Sequence, residues 1–420
     1  MMIFMTSLGL LFLGLPIQVA PTIPQEPESR PTSRPAEQAG TKPAEETLVN
    51  PRSFEKDGKL AESVQAWRTW ARLKPEDPLP YREVLRLSLL MNKPQIGLEF
   101  GEKGLERFPK DLPLMLAMAT AHMRLAELIA GGAPIDRDLR TVLEDAEFQA
   151  ESALEISPRM REALAVLGMA QFRLQRYDDA RETAKTLAKE HPKHHGGPFL
   201  LGEIAYRQWQ AAKADPDSEA KTRFQLLGEA RQAFMEASHR APEKALPYRR
   251  LGDVSWWQGD EAQCLKWYAE GLARDPRKGG PRAWIDTKVE PFKRMDLYTK
   301  AAQKFAELST KPAKDRALLL QGAAAAAYLV PNWKLCRSLS EEAYKLDSSW
   351  KDGLYYHAIA SYALEDFDAA EITMGMYAVE APDRLDATLR GGTQEQGRDL
   401  SDKLVFLAGK AFRKGHLLQS

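Results

Sequence analysis

The sequence predicts an all-α array of stacked helix pairs. Three observations carry that expectation: a 34-residue spacing that recurs along most of the chain, apolar positions at helical period with no strand pattern, and a proline closing most periods. A length of 420 residues allows two or three ordinary domains or one long array. Hydrophobic residues make up 44% and charged residues 28%, which is ordinary for a folded soluble chain. The 59 Lys and Arg balance 59 Asp and Glu, which speaks against a generally basic nucleic-acid binder. Two cysteines are too few for a disulfide framework or a Cys-rich zinc site.

In chain order, residues 1–20 come first and carry no charged side chain. The apolar run from Ile3 to Leu15 has the length of an export-signal core and is short for a membrane span. Pro16 breaks the run and Ala20 offers a cleavage point. No Lys or Arg precedes the run and Pro21 would follow the cut, so an uncleaved N-terminal anchor stays open beside a cleaved signal peptide. Residues 21–46 hold six prolines among Ser, Thr, Glu and Gln. They cannot bury enough apolar surface to offset ordering entropy, and are expected to form an extended, disordered tether.

Residues 47–390 are the repeat. Counting from Arg161, Leu167 and Gly168 fall at positions 7 and 8, Tyr177 at 17, Ala180 at 20 and Pro192 at 32. Counting from Ala245, Leu251 and Gly252 fall at 7 and 8, Cys264 at 20, Tyr268 at 24 and Pro276 at 32. Counting from Lys351, Ala358 falls at 8, Phe367 at 17, Ala370 at 20 and Pro382 at 32. The small residues at 8 and 20 let two helices cross closely, and position 24 is a larger plug. The proline ends the second helix because it lacks an N–H and clashes with the preceding turn. The register extends both ways to about nine units, with Pro51 eroding the first helix of the first unit and Pro291 interrupting that of the unit from Pro281. Insertions of 15 and 16 residues, around Gly131–Pro134 and Asp215–Asp217, lengthen two units and are expected to project as loops from one edge. Residues 391–420 open with Gly391 and Gly392 and continue as an amphipathic segment, expected to be a capping helix.

This spacing resembles the tetratricopeptide repeat (TPR), over roughly four fifths of the chain. The resemblance implies a right-handed α-solenoid of about nine helix pairs with a concave inner face, a capping helix, and a protein or peptide partner. It further implies that position 12 of each first helix faces the groove. That position reads Phe172, Tyr206, Trp256, Phe292, Tyr328 and Tyr362 in six successive units, with Phe199 and Tyr355 added from position 5. Such a ladder could be a ligand surface or simple packing between helices. The Lys and Asn of a carboxylate clamp are missing: positions 5 and 9 read Arg82 and Arg86, then Leu116 and Thr120, then Ala165 and Met169.

Other constellations read as structural. Cys264 and Cys336 both fall at position 20, two units apart, too far to pair, and are expected to be core thiols. His191, His194 and His195 cluster in one turn without a partner ligand at metal spacing, which reads as a solvated loop. Arg82 and Arg86 could meet an acidic ligand, though a solvated face is the plainer reading. No phosphate-binding loop, H-E-x-x-H or nucleophile elbow occurs. The expectation is therefore a non-enzyme with no cofactor and no metal: an exported, periplasmic or envelope-associated scaffold that binds a partner along its concave face. The alternative is a structural assembly or anchoring component of a cell-envelope complex. No nucleic acid is expected, and membrane contact only through an N-terminal anchor.

Overall fold

The computed structural model describes residues 50–308 and 313–381. The expected signal, the tether and the C-terminal capping helix lie outside the described residues. Eighteen α-helices and no strand occur among the described residues, in nine consecutive pairs. In chain order these are α1 (Pro51–Lys56) with α2 (Leu60–Leu73), α3 (Leu79–Leu90) with α4 (Pro94–Arg107), and α5 (Leu112–Ala130) with α6 (Leu139–Ile156). There follow α7 (Arg161–Arg173) with α8 (Tyr177–Glu190), α9 (Gly196–Ala214) with α10 (Ala220–Arg240), and α11 (Ala245–Trp257) with α12 (Glu261–Arg274). The last three pairs are α13 (Arg282–Lys288) with α14 (Pro291–Glu307), α15 (Ala313–Leu329) with α16 (Trp333–Leu346), and α17 (Asp352–Ala363) with α18 (Phe367–Glu380). The chain divides into two compact units, residues 1–204 and 205–420, the division falling within α9.

Several pairs share the same local devices. In four of them the turn between the helices passes through a left-handed residue at position 15: Asn92 at φ 56°, Gln175 at 63°, Gly259 at 80° and Glu365 at 62°. Asp260, Asn332 and Asp366 follow such turns and cap the second helix, their side chains accepting from the N–H groups of Gln263, Leu335 and Ala369. The position-32 prolines stand two residues past the end of α8 and α12, where a helix cannot continue.

Packing inside a pair turns on the crossing point. Ala180, Cys264, Cys336 and Ala370 are fully buried there. Burial pushes both thiols up to about 12, so they are inert core groups. In the sixth pair Tyr268 lies against Gly252, and its hydroxyl donates to Asp253 Oδ1 at 2.8 Å. The seventh pair repeats the device, with Tyr298 donating to Asp286 Oδ1 at 2.8 Å. No pair closes a core alone. In the first unit Val64 and Trp67 of α2 pack with Val84 and Leu87 of α3. In the second, Tyr268 and Leu272 of α12 share one cluster with Ile285, Leu297 and Tyr298 of the following pair. Neighbour burial of this kind is what a repeat array requires.

Two sequence expectations are refined. The insertions do lengthen their pairs: α5, α6, α9 and α10 have 19, 18, 19 and 21 residues, against 14 in α8 and α12. Both inserted loops, 131–138 and 215–219, join the two helices of a pair. The seventh pair corrects the reading of Pro291. That proline does not interrupt a first helix; it opens the second, α14, at a position where its missing N–H costs nothing. The first helix, α13, is cut to seven residues.

At the end of α12, a Cβ on Gly271 would collide with the backbone carbonyl of Gly279, whereas Gly228 in α10 has open space around it. Gly271→Ala is expected to destabilise by about 1–3 kcal/mol. Gly228→Ala is expected to stabilise by about 0.5–1 kcal/mol. Urea unfolding of the two variants beside wild type checks both signs.

Candidate functional site

The aromatic ladder separates into three environments. Phe172 and Phe199 in the first unit, and Tyr206 in the second, are 7%, 1% and 6% exposed. They are core: Phe172, for example, leans on Tyr177 of its own pair at 5.9 Å. Tyr328, Tyr355 and Tyr362 are half-buried. Tyr328 sits 6.0 Å from Trp333 and 6.3 Å from Tyr355, Tyr355 sits 5.7 Å from Tyr377, and Tyr362 meets Phe367 edge-on at 5.4 Å. Burial pushes the Tyr355 phenol up, so it stays protonated. Trp256 and Phe292 are exposed. Phe292, however, is the second residue of α14 and not a position-12 residue of a first helix, because Pro291 begins that helix. The unbroken run of six is therefore interrupted at the seventh pair.

What the structure assembles instead is an aromatic surface around the C-terminal end of α11, wholly within the second unit. Trp256 and Trp257 are its exposed members, at 38% and 46%. Beneath Trp257 lies a floor set by the second half of α9. Its indole N–H donates to Tyr206 Oη at 3.1 Å, and its ring stands 5.3 Å from that of Trp209. Lys213 places its ammonium 3.2 Å from the Trp257 ring centroid, a close cation–π contact. On the other side Trp256 meets Trp284 of α13 edge-on at 4.7 Å, and Trp284 in turn meets Tyr268 at 6.0 Å. Six aromatic rings thus form two connected groups on either side of adjacent chain positions.

Electrostatics fix this surface without leaving a reactive group open. Asp253, one turn before Trp256, accepts from Arg250 Nη1 at 3.0 Å and from the Tyr268 hydroxyl at 2.8 Å. Burial first, and then the Asp253 carboxylate, hold the Tyr268 phenol well above its usual value, so it remains a donor. The anchors are therefore mounted on a rigid base, and what they offer is contact area rather than acid–base chemistry.

Trp257, Trp209, Trp284 and Lys213 were not among the groove candidates from the sequence, where Trp284 figured only as the position-4 residue of the unit from Pro281. Trp257 occupies position 13, which the family pattern also turns to the groove, so that signal was present. Lys213 reaches the surface only because the insertion lengthens α9. Other sequence candidates resolve as structural. Arg82 pairs with Asp111, and Arg86 with Glu83 and with Glu55 at 2.5 Å, so both belong to ion pairs within the first unit. The histidine turn is not a solvated loop. His195 is buried, His191 Nε2 lies 2.8 Å from the Arg159 carbonyl, and His194 Nδ1 accepts from the Gly196 N–H at 3.2 Å. Burial, with His195 adding to it, pushes His194 down to about 4, consistent with that neutral acceptor role.

The class of protein that this fold defines is an all-α solenoid of TPR-like helix pairs. No family model matches the chain, and no curated protein matches it. Solved structures that it is similar to include a tetratricopeptide repeat protein from Parabacteroides merdae, 16% identical, covering 70% of this chain and 95% of that one at a TM-score of 0.41. MamA from Desulfovibrio magneticus is 14% identical, covering 48% and 96% at a TM-score of 0.35. YrrB, described as a TPR protein with an unusual peptide-binding site, is 15% identical, covering 51% and 94% at a TM-score of 0.33. The assignment of the class rests on the helix pairs themselves.

The two kinds of ladder position are separable by stability. Phe199→Ala removes a fully buried ring and is expected to cost about 3–5 kcal/mol. Trp256→Ala removes a ring already partly in water and is expected to cost about 1–2 kcal/mol. The urea midpoints of the two variants should differ accordingly, and equal losses would mean that Trp256 is a packing residue.

Proposed function

We propose that this protein is a non-catalytic scaffold that captures a protein or peptide partner on the first-helix face of its second unit, with Trp256 and Trp257 as the anchors. The observation that carries this reading is the pair of exposed indoles on a base held by hydrogen bonds and ring contacts. Tryptophan supplies large contact area with few rotors to freeze, and exposed Trp on a fixed base is the composition of a binding hot spot. Preorganisation lowers the cost of binding, because Tyr206 and Trp209 already hold the Trp257 ring. The exposed Lys213 adds a polar edge to the surface, and the largely buried Arg250–Asp253 pair belongs to its base.

The test places a photo-crosslinking amino acid at position 256 of the full chain in its native host. A partner crosslinked there, and captured at least tenfold less by Trp256→Ala/Trp257→Ala protein of unchanged helicity, is the expected result. A partner captured equally by that variant would place function elsewhere on the molecule and favour a permanent assembly interface.

The scaffold acts outside the cytoplasm on this reading, because residues 1–20 have the pattern of an export signal and residues 21–46 that of a tether. N-terminal sequencing of the protein from its host should give Pro21. A chain in the membrane fraction that still begins at Met1 would indicate an anchor, and a cytoplasmic chain would overturn export.

A further inference from the structure

The arginines of the first helices divide into two groups by their partners. In the first unit all those on α1, α3, α5 and α7 are neutralised by carboxylates. Arg52 pairs with Glu83, Arg82 with Asp111, Arg86 with Glu83 and Glu55, Arg161 with Glu162, and Arg124 and Arg173 with Glu127. In the second unit Arg250 and Arg316 follow the same rule, with Asp253 and Glu342. Arg207 on α9, Arg249 on α11 and Arg282 on α13 break it. Among the described residues no carboxylate pairs with any of them. Arg207 donates to the Gln210 side chain at 3.1 Å, and Arg249 and Arg282 donate to the carbonyls of Lys278 and Leu318, each at 3.3 Å. These three stand on the three successive first helices that build the surface around Trp256 and Trp257. Lys213, over the Trp257 ring, has no carboxylate partner either. The acids of the same helices are already engaged. Asp253 and Asp286 accept the hydroxyls of Tyr268 and Tyr298, and Glu203 is buried.

We propose that the partner of this surface is an acidic peptide segment, whose side-chain carboxylates meet Arg249 and Arg282 while a large apolar residue rests on Trp256 and Trp257. This rests on the reading of the two indoles as anchors and adds the chemistry of what they hold. The chain neutralises its first-helix arginines wherever it supplies the acid itself, so a run of three without one is complementary to an acid that comes from outside. A guanidinium can grip a carboxylate through two parallel N–H groups, which gives the contact direction as well as charge. The geometry sets the spacing. Arg249 lies seven residues before Trp256 on α11, two helical turns, so both fall on one face. The rise between them is about 10 Å, which an extended strand covers in about three residues. The ligand should therefore carry its acids about three positions from its apolar residue. The chain's net charge of zero and this small number of open arginines suit a short acidic run rather than a polyanion such as nucleic acid.

The experiment selects ligands for the full chain from a phage-displayed library of random short peptides. Sequences selected by the wild type should carry Asp and Glu at least threefold above their frequency in the library, with a large apolar residue at the stated spacing. Arg249→Glu/Arg282→Glu protein of unchanged helicity should select Lys and Arg instead. Should that variant not fold, Arg249→Gln/Arg282→Gln should bind the wild-type peptides at least tenfold more weakly. High salt should weaken the wild-type complex by a similar factor, because exposed charges are screened. Selected sequences with no excess of acid, yet lost from Trp256→Ala/Trp257→Ala protein, overturn the acidic partner and leave the indole surface standing. Sequences held equally by that tryptophan variant, or no selected sequence at all, remove the indole surface and this inference with it. A single-stranded oligonucleotide that displaces the selected peptides at lower concentration would assign the arginines to nucleic acid and also overturn the proposal.

Discussion

The close crossing of two helices within each pair is the constraint on which the structure depends. At that point one side chain must be small, as Ala180 and Ala370 are, or a compact thiol such as Cys264 and Cys336, all fully buried. A close crossing fixes the angle of the pair and leaves each pair with apolar faces that it cannot cover. Those faces are buried only by the next pair, as Tyr268 and Leu272 are by Ile285, Leu297 and Tyr298. The stability of each unit is therefore a property of neighbours and not of any one pair. The two cysteines illustrate the point. Their raised pKa values follow from the burial that the crossing imposes, and their chemistry is silenced by geometry.

The same constraint decides where aromatic side chains can be spared for contact with a partner. Between closely stacked first helices an aromatic fills space, as Phe172 and Phe199 do. Trp256 and Trp257 escape because they are the last two residues of α11, beside the turn through Gly259. The shortened α13 then offers Trp284 against the edge of Trp256, and the lengthened α9 offers Trp209 and Lys213 beneath Trp257. Two departures from a regular repeat, one deletion and one insertion, thus converge on adjacent residues. Irregularity in an otherwise repetitive structure is where a distinct surface is made.

Much of the fold was legible because its causes are local. A 34-residue spacing, a small residue at position 20 and a terminating proline act within one pair, and nine pairs appear, with the boundary between the helices of the seventh displaced from where the spacing put it. The candidate site was legible only in part. Trp256 was visible as an aromatic at a groove position, yet the same pattern included Phe172, Phe199 and Tyr206, which are buried. Phe292 fitted the spacing but not the structure, since a proline can either break a helix or begin one and the count of positions does not say which.

By itself the sequence determined the class of fold, the number of pairs, the position of both insertions and the core role of the cysteines. Each follows from residue type at fixed spacing, which short-range sterics and hydrogen bonding translate directly into helices, turns and close crossings. Only the tertiary structure decided which aromatics are core and which are surface, that Arg82 and Arg86 are engaged with Asp111, Glu55 and Glu83, and that Lys213 lies over Trp257. Burial and pairing depend on residues from neighbouring helices, dozens of positions away in the chain, and no periodicity within a single repeat records how those neighbours meet.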